Sequence, residues 1–178
     1  MNRFLKVVGL PLLASLLLGA CNWHTAQPQT TQRALPKATS YRVLLGQSIS
    51  EPEVADFLTS NHCSGTALSQ LCKAAGIALW INPDQTVETV YLYLNNADGF
   101  VPYKGELPSG LKFYDSMGAV QYKLKRQKIG NAGLPDSGET PDPLHYWANY
   151  QQAGMIIVYN SPAAEDEDAT IYAILLSK

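Results

Sequence analysis

Charge is scarce in this chain. Charged residues make up 16 % of its 178 positions, against about 25 % in an average soluble domain. The 13 basic residues are outnumbered by 15 acidic ones, so no electrostatic excess draws the protein to nucleic acid. Cysteine and histidine number three each, which leaves little room for a metal cluster built on those ligands. No apolar run reaches the roughly 20 residues that cross a bilayer core. Motifs of chemistry are missing too: no Gly-x-Ser-x-Gly, no His-Glu-x-x-His, no glycine-rich phosphate loop and no paired-cysteine zinc spacing. The expectation is a protein without catalytic residues, metal or cofactor. What the chain has in plenty is apolar surface: 46 % of residues are hydrophobic, enough to bury a core and to exclude a disordered chain.

The first twenty residues, MNRFLKVVGLPLLASLLLGA, combine the basic Arg3 and Lys6 with an apolar stretch from Val7 to Leu18. That is the pattern of a secretory signal rather than of a membrane-spanning helix. Leu18-Gly19-Ala20-Cys21 follows, and it resembles the lipobox of bacterial lipoproteins. The resemblance implies cleavage before Cys21, a diacylglyceryl thioether on its sulfur and an acylated amino terminus. Such a multi-chain anchor holds firmly, each buried methylene contributing ~0.8 kcal/mol. Asn22 stands where an Asp would resemble an inner-membrane retention signal, which places the protein on the periplasmic face of the outer membrane. Residues 22–40 are polar, carry two prolines and have no apolar period. They are expected to form a flexible tether with a mean reach of ~25 Å.

The rest of the chain contains an internal repeat. Ala75-Gly76-Ile77-Ala78-Leu79-Trp80-Ile81 is matched by Ala153-Gly154-Met155-Ile156-Ile157-Val158-Tyr159, and Thr86 to Leu94 is matched by the β-rich run from Ala169 to Leu176. Each pair predicts a β-hairpin. The turns differ: Asn82 to Gln85 is short, whereas Ser161 to Asp168 is longer and acidic. A helix signal precedes each hairpin. Ser50 and Glu53 have capping-box spacing ahead of Val54, Phe57 and Leu58. In the second half Asp115 is the expected cap ahead of Met117, Val120 and Leu124. Residues 68–75 and 144–151 are both assigned to strands. The expected fold class is α+β, in two tandem units of one short helix and about three antiparallel strands, spanning 41–100 and 101–178.

Leu107, Pro108, Gly110, Leu111, Ser116, Val120 and Leu124 are similar to a pattern shared by a group of small bacterial proteins of unassigned role. Lys125-Arg126-Gln127 stands where that group continues with Gly and Pro. At the level of fold, tandem helix-plus-sheet units resemble the β-lactamase inhibitor protein family. Single units resemble the small lipoprotein of the outer-membrane β-barrel assembly machinery. A shared fold does not by itself carry a function.

His62-Cys63 places a thiol beside an imidazole, but neighbours in a chain rarely point at each other. With Cys21 taken by lipid, Cys63 and Cys72 are expected to form a disulfide in an oxidising compartment. Two surface features remain. Glu165, Asp166, Glu167 and Asp168 form an acidic run, read either as a solvated tip or as a patch that meets a basic partner. Tyr91, Tyr93, Tyr146, Trp147, Tyr150 and Tyr159 are residue types that anchor interfaces. His145 lies in a turn-rich loop as a contact residue, and residues 130–143 form a long loop with three prolines and three acids. Partner contact is assigned to the acidic run with Tyr146 and Trp147. The function expected is a lipid-anchored periplasmic inhibitor, such as an immunity protein that neutralises a toxin. The alternative is an accessory lipoprotein for outer-membrane assembly or maintenance.

Overall fold

Met117, Val120 and Leu124 are fully buried along one side of a ten-residue helix, Met117–Arg126. The apolar period of the sequence is what drives that burial. A shorter helix, Pro52–Ser60, buries Val54 and packs Phe57 and Leu58 half-buried beside it. We call these α2 and α1. The structure, a computed structural model, describes residues 38–131 and 143–178. The expected signal sequence, Cys21, all but residues 38–40 of the expected tether, and residues 132–142 of the expected long loop lie outside the described residues.

Both helix starts differ from expectation. Glu51, not Ser50, is the residue before α1, and its side chain makes no capping bond. Pro52 removes one of the N–H groups that a Ser50 cap would receive, and the Ser50 hydroxyl lies 2.9 Å from that of Ser48 instead. At α2 the cap is Ser116, whose Oγ accepts the Ala119 N–H at 3.4 Å. Asp115 sits one residue too early. Its carboxylate accepts the Lys112 N–H at 2.7 Å and pairs with Lys123 Nζ at 2.7 Å.

Seven strands follow the β-branched and aromatic runs: β1 Ser64–Gly65, β2 Ser69–Cys72, β3 Ile77–Ile81, β4 Val87–Tyr93, β5 Tyr146–Tyr150, β6 Met155–Tyr159 and β7 Ile171–Leu176. They form one antiparallel sheet in the order β1-β2-β3-β4-β7-β6-β5. The fold class is therefore α+β, with two α-helices and a seven-stranded sheet among the described residues. The first and second halves of the chain meet in mid-sheet, where β4 pairs with β7 from Val90↔Leu176 to Tyr93↔Ala173. The described residues fall in one compact unit.

The strand assigned to 68–75 stops at Cys72, and Lys73–Ala75 turn as a single 3₁₀ turn into Gly76. Gly76 has φ +70°, and a Cβ there would lie 2.4 Å from the Tyr103 nitrogen and the Val101 oxygen. Only glycine meets both demands. The Gln151–Ala153 turn ends in the same way on Gly154, at φ +55°. A further 3₁₀ helix, Ala38–Leu44, buries Tyr41 and Leu44. Its Arg42 guanidinium donates to the Ala153 carbonyl and, at 3.2 Å, to that of Gly154.

The main core lies between the helices and one face of the sheet. Val54, Met117, Val120 and Leu124 from the helices meet Ile77, Leu79, Val90, Leu92, Ile157, Ile174 and Leu176. At 25 cal/mol per Å² or so, such burial contributes most to holding the two layers together. The disulfide expected between Cys63 and Cys72 is present. It ties the exit of α1 to β2, with Cys72 fully buried.

Candidate binding surface on the sheet

Strand alternation sends every second side chain to the face opposite the helices. On β4 these are Tyr91 and Tyr93, while Val90 and Leu92 enter the main core. Tyr91 pairs with Ala78 on one side and with Leu175 on the other. Val158, Ala173 and Leu175 form the floor of a second cluster, bordered by half-buried Tyr91, Tyr93, Trp147, Ile156 and Tyr172.

The rings on this face run in a continuous row. Trp80 lies 5.9 Å from Tyr91 between centroids, Tyr91 lies 6.2 Å from Tyr93, and Phe100 stacks on Tyr93 at 4.0 Å. Tyr172 meets Tyr93 edge-on at 6.3 Å, and the His145 ring packs on Tyr172 at 4.1 Å. Stacked and edge-on geometries of this kind add about 0.5–1.5 kcal/mol per pair beyond simple burial. The row is preorganised, and Trp80 at its end remains 48 % exposed.

Two register shifts aim side chains at this face. Between Trp80 and Ile81 the pairing steps from Thr89 to Val87, so Glu88 is the extra residue. Between Val158 and Tyr159 it steps from Ala173 to Ile171, so Tyr172 is the extra residue. A bulge turns its extra side chain and sharpens the local twist, and this brings Tyr172 onto Tyr93.

The Tyr91 and Tyr93 hydroxyls are held neutral. Burial, then Tyr93 and Glu88 nearby, push the Tyr91 phenol up to about 12. Burial and the Asp98 carboxylate raise Tyr93 as well. The Tyr172 hydroxyl donates to Asp98 Oδ2 at 3.5 Å, and Lys73 Nζ donates to the Asp98 carbonyl while lying 5.8 Å from the Phe100 ring centroid. The face is thus apolar in its middle, with phenol groups and the carboxylates of Glu88 and Asp98 near it.

The residues assigned to partner contact fall in three places. Trp147 lies on this face, and its buried indole N–H has no hydrogen-bond partner among the described residues. Tyr146 is the neighbouring strand residue and goes the other way. It packs against the main core, stacks on Tyr159 at 6.3 Å and accepts from Asn131 at 3.4 Å. The two do not share a surface. Glu165, Asp166, Glu167 and Asp168 close over the start of α2: Met117 N–H donates to the Ala169 carbonyl at 2.8 Å and Gly118 N–H to the Glu167 carbonyl at 3.0 Å. With Ser116 taking the Ala119 N–H, the first three helix donors are satisfied, and the acids lie where the helix dipole favours negative charge. The run therefore has a local structural role on the helix side.

Trp80, Phe100 and Tyr172 were not among the residues singled out from the sequence. Trp80 is legible in principle, since it alternates with Leu79 and Ile81, which enter the core; Tyr172 is not, because the bulge puts it on the same face as its neighbour Ala173. Phe100 lies in the turn-rich joint after β4 and carries no periodic signal.

Among the described residues no group of three or more His, Cys, Asp or Glu is placed to hold a metal ion, and no helix is long and apolar enough to cross a membrane. The Cys63 thiol next to His62 is taken up in the disulfide. No family model matches the chain, and neither the curated proteins nor the solved structures contain a significant match.

Proposed function

We propose that this is a lipid-anchored periplasmic binding protein that inhibits a protein partner through the aromatic face of its sheet, in the manner of an immunity protein that neutralises a periplasm-acting toxin. The observation that carries the reading is the row Trp80–Tyr91–Tyr93–Phe100, with Tyr172 branching from Tyr93, on the side of the sheet away from both helices. Preordered aromatic side chains lose little entropy on binding and are the commonest hot-spot residues. The anchor reading rests on the sequence around Cys21: processing before it, lipid on its thiol, and residence on the periplasmic face of the outer membrane.

The two halves are best understood as tandem copies. In each, a strand ends in a 3₁₀ turn and a left-handed glycine, Gly76 or Gly154. A bulge follows at the same step of each hairpin, after Trp80 or Val158. The approach to each helix makes a single bridge to the residue before the last strand, Ser48 to Thr86 and Ser116 to Thr170. Pairing of the copies through β4 and β7 doubles the width of the shared face.

The test places a photo-crosslinking amino acid at position 80 of the full chain in cells, and at exposed Leu68 as a control. A single protein crosslinked from position 80 only, whose activity is inhibited by the wild type at least tenfold better than by Trp80→Ala, supports the reading. A crosslinked partner whose activity is unaffected, or an assembly component that is stabilised, shifts the function to an accessory lipoprotein. Equal crosslinking from both positions overturns the assignment of the face.

A further inference from the structure

We propose that the outer side of α2 past its first turn, where the acidic run 165–168 lies, docks together with the loop that leads into the helix on an anionic lipid surface. Between residues 104 and 128 the chain carries six basic side chains and two acidic ones, whereas the rest of residues 21–178 carries five basic and thirteen acidic. One of those two acids, Asp115, is buried and paired with Lys123. Lys112, Lys125, Arg126 and Lys128 are exposed.

Large rings stand among these cations. Phe113, Tyr114 and Tyr122 are 38 %, 80 % and 63 % exposed. Arg126 follows Tyr122 by one helical turn, and its guanidinium lies 5.8 Å from that ring. Beside them an open hollow is lined by Ser109, Gly110, Tyr122, Lys123, Arg126 and Gln127, of a polarity that suits a phosphate head group. Long cationic side chains and amphipathic rings are the residues that settle at head-group depth. An acidic protein would match the cations too, and the experiment below separates it from a lipid surface.

This orientation completes the proposed function. The packing side of α2 is the helix side of the sheet, so α2 laid on the bilayer turns the aromatic row away from it, toward incoming proteins. The inference draws on the anchored reading only for the nearness of the membrane.

The experiment reconstitutes the full chain in vesicles of neutral phosphatidylcholine, or of the same lipid with a third phosphatidylglycerol, and follows hydrogen–deuterium exchange of residues 112–128. The N-terminal apolar run or a lipid on Cys21 holds the chain in both vesicles, so the comparison does not depend on which of the two is the anchor. Exchange should slow on the order of fivefold on the anionic vesicles, and recover in 0.5 M salt and in a Lys125→Gln, Arg126→Gln, Lys128→Gln variant. These three side chains are exposed, so the variant keeps its circular dichroism spectrum. Equal exchange on both vesicles overturns the proposal. Protection by soluble polyglutamate but not by anionic vesicles overturns it in favour of an acidic protein partner.

Discussion

Breaking the Cys63–Cys72 bond tests how the first half of the sheet is held. The bond spans a sequence separation of nine residues, so it closes a loop of about ten. In the chain-entropy treatment such a loop removes about 9 cal/mol/K from the unfolded chain, or about 2.7 kcal/mol at 25 °C. Strand β1 has only two residues and β2 four, so the local ladder offers little compensation once the link is cut. For a folded unit of this size, 2.7 kcal/mol corresponds to roughly 8 °C in melting temperature. The clean variant is Cys63→Ala with Cys72→Ala, because Cys72 is fully buried and a serine there would bury a hydroxyl. Urea denaturation of the variant and of the oxidised wild type measures the difference, and intact mass before and after alkylation verifies the bond. Burial of Cys72 further implies slow reduction of the folded protein, with rapid reduction once urea opens the β1–β2 edge. A difference below about 0.5 kcal/mol at unchanged m would refute the reasoning, since the bond would then constrain nothing that the fold does not already fix.

Four other outcomes follow from the same structure. Gly76→Ala should cost more than 2 kcal/mol or so, because a positive φ and backbone atoms at 2.4 Å both oppose a Cβ; a melting temperature within 2 °C or so of wild type contradicts the turn geometry. Tyr91 is held above the ordinary phenol value, so the stability tied to its neutral form is complete below about pH 10 and is lost as pH rises through about 12. Urea midpoints at pH 9 and 11.5, with absorbance at 295 nm, should show delayed ionisation and falling stability; ionisation at the ordinary phenol value refutes the burial. Changing Glu165, Asp166, Glu167 and Asp168 to their amides should lower stability by about 0.3–1 kcal/mol through loss of negative charge at the α2 start. A gain would show that repulsion within the run outweighs its attraction to the helix dipole. Cys21→Ser should abolish incorporation of a clickable fatty acid, and equal labelling of mutant and wild type would remove the anchor.

Local patterns told most of what the sequence had to tell. Met117, Val120 and Leu124 announced the buried side of α2, and the β-branched runs at 77–81, 87–93 and 155–159 announced strands. The pairing expected of Cys63 and Cys72 is present. What depends on distant partners was not legible. Asp115 and Ser116 are both good caps by type; Lys112 and Lys123 draw Asp115 away, and only the folded turn shows it. The acidic run reads in the sequence only as surface charge; that the Glu167 and Ala169 carbonyls receive the first N–H groups of α2 depends on the fold. Tyr146 and Trp147 were grouped by residue type, but a strand sends neighbours to opposite faces, and that rule separates them. Phe100 joined the row only because the chain after β4 folds back over Tyr93.

The position of β7 has a consequence in time. Ile171–Leu176 is the last strand along the chain yet lies between β4 and β6, and Val90 waits for Leu176, more than eighty residues later. A chain emerging in order, amino end first, holds α1 and β1 to β4 with one edge of β4 open, and then β6 in the same condition. Neither edge closes before the final strand has emerged. Contacts so far apart in sequence make folding slow, and open edges are sites of mispairing between chains. A nascent or truncated form lacking 171–176 is therefore expected to aggregate through β4, and shielding of that edge during synthesis governs the yield of folded protein.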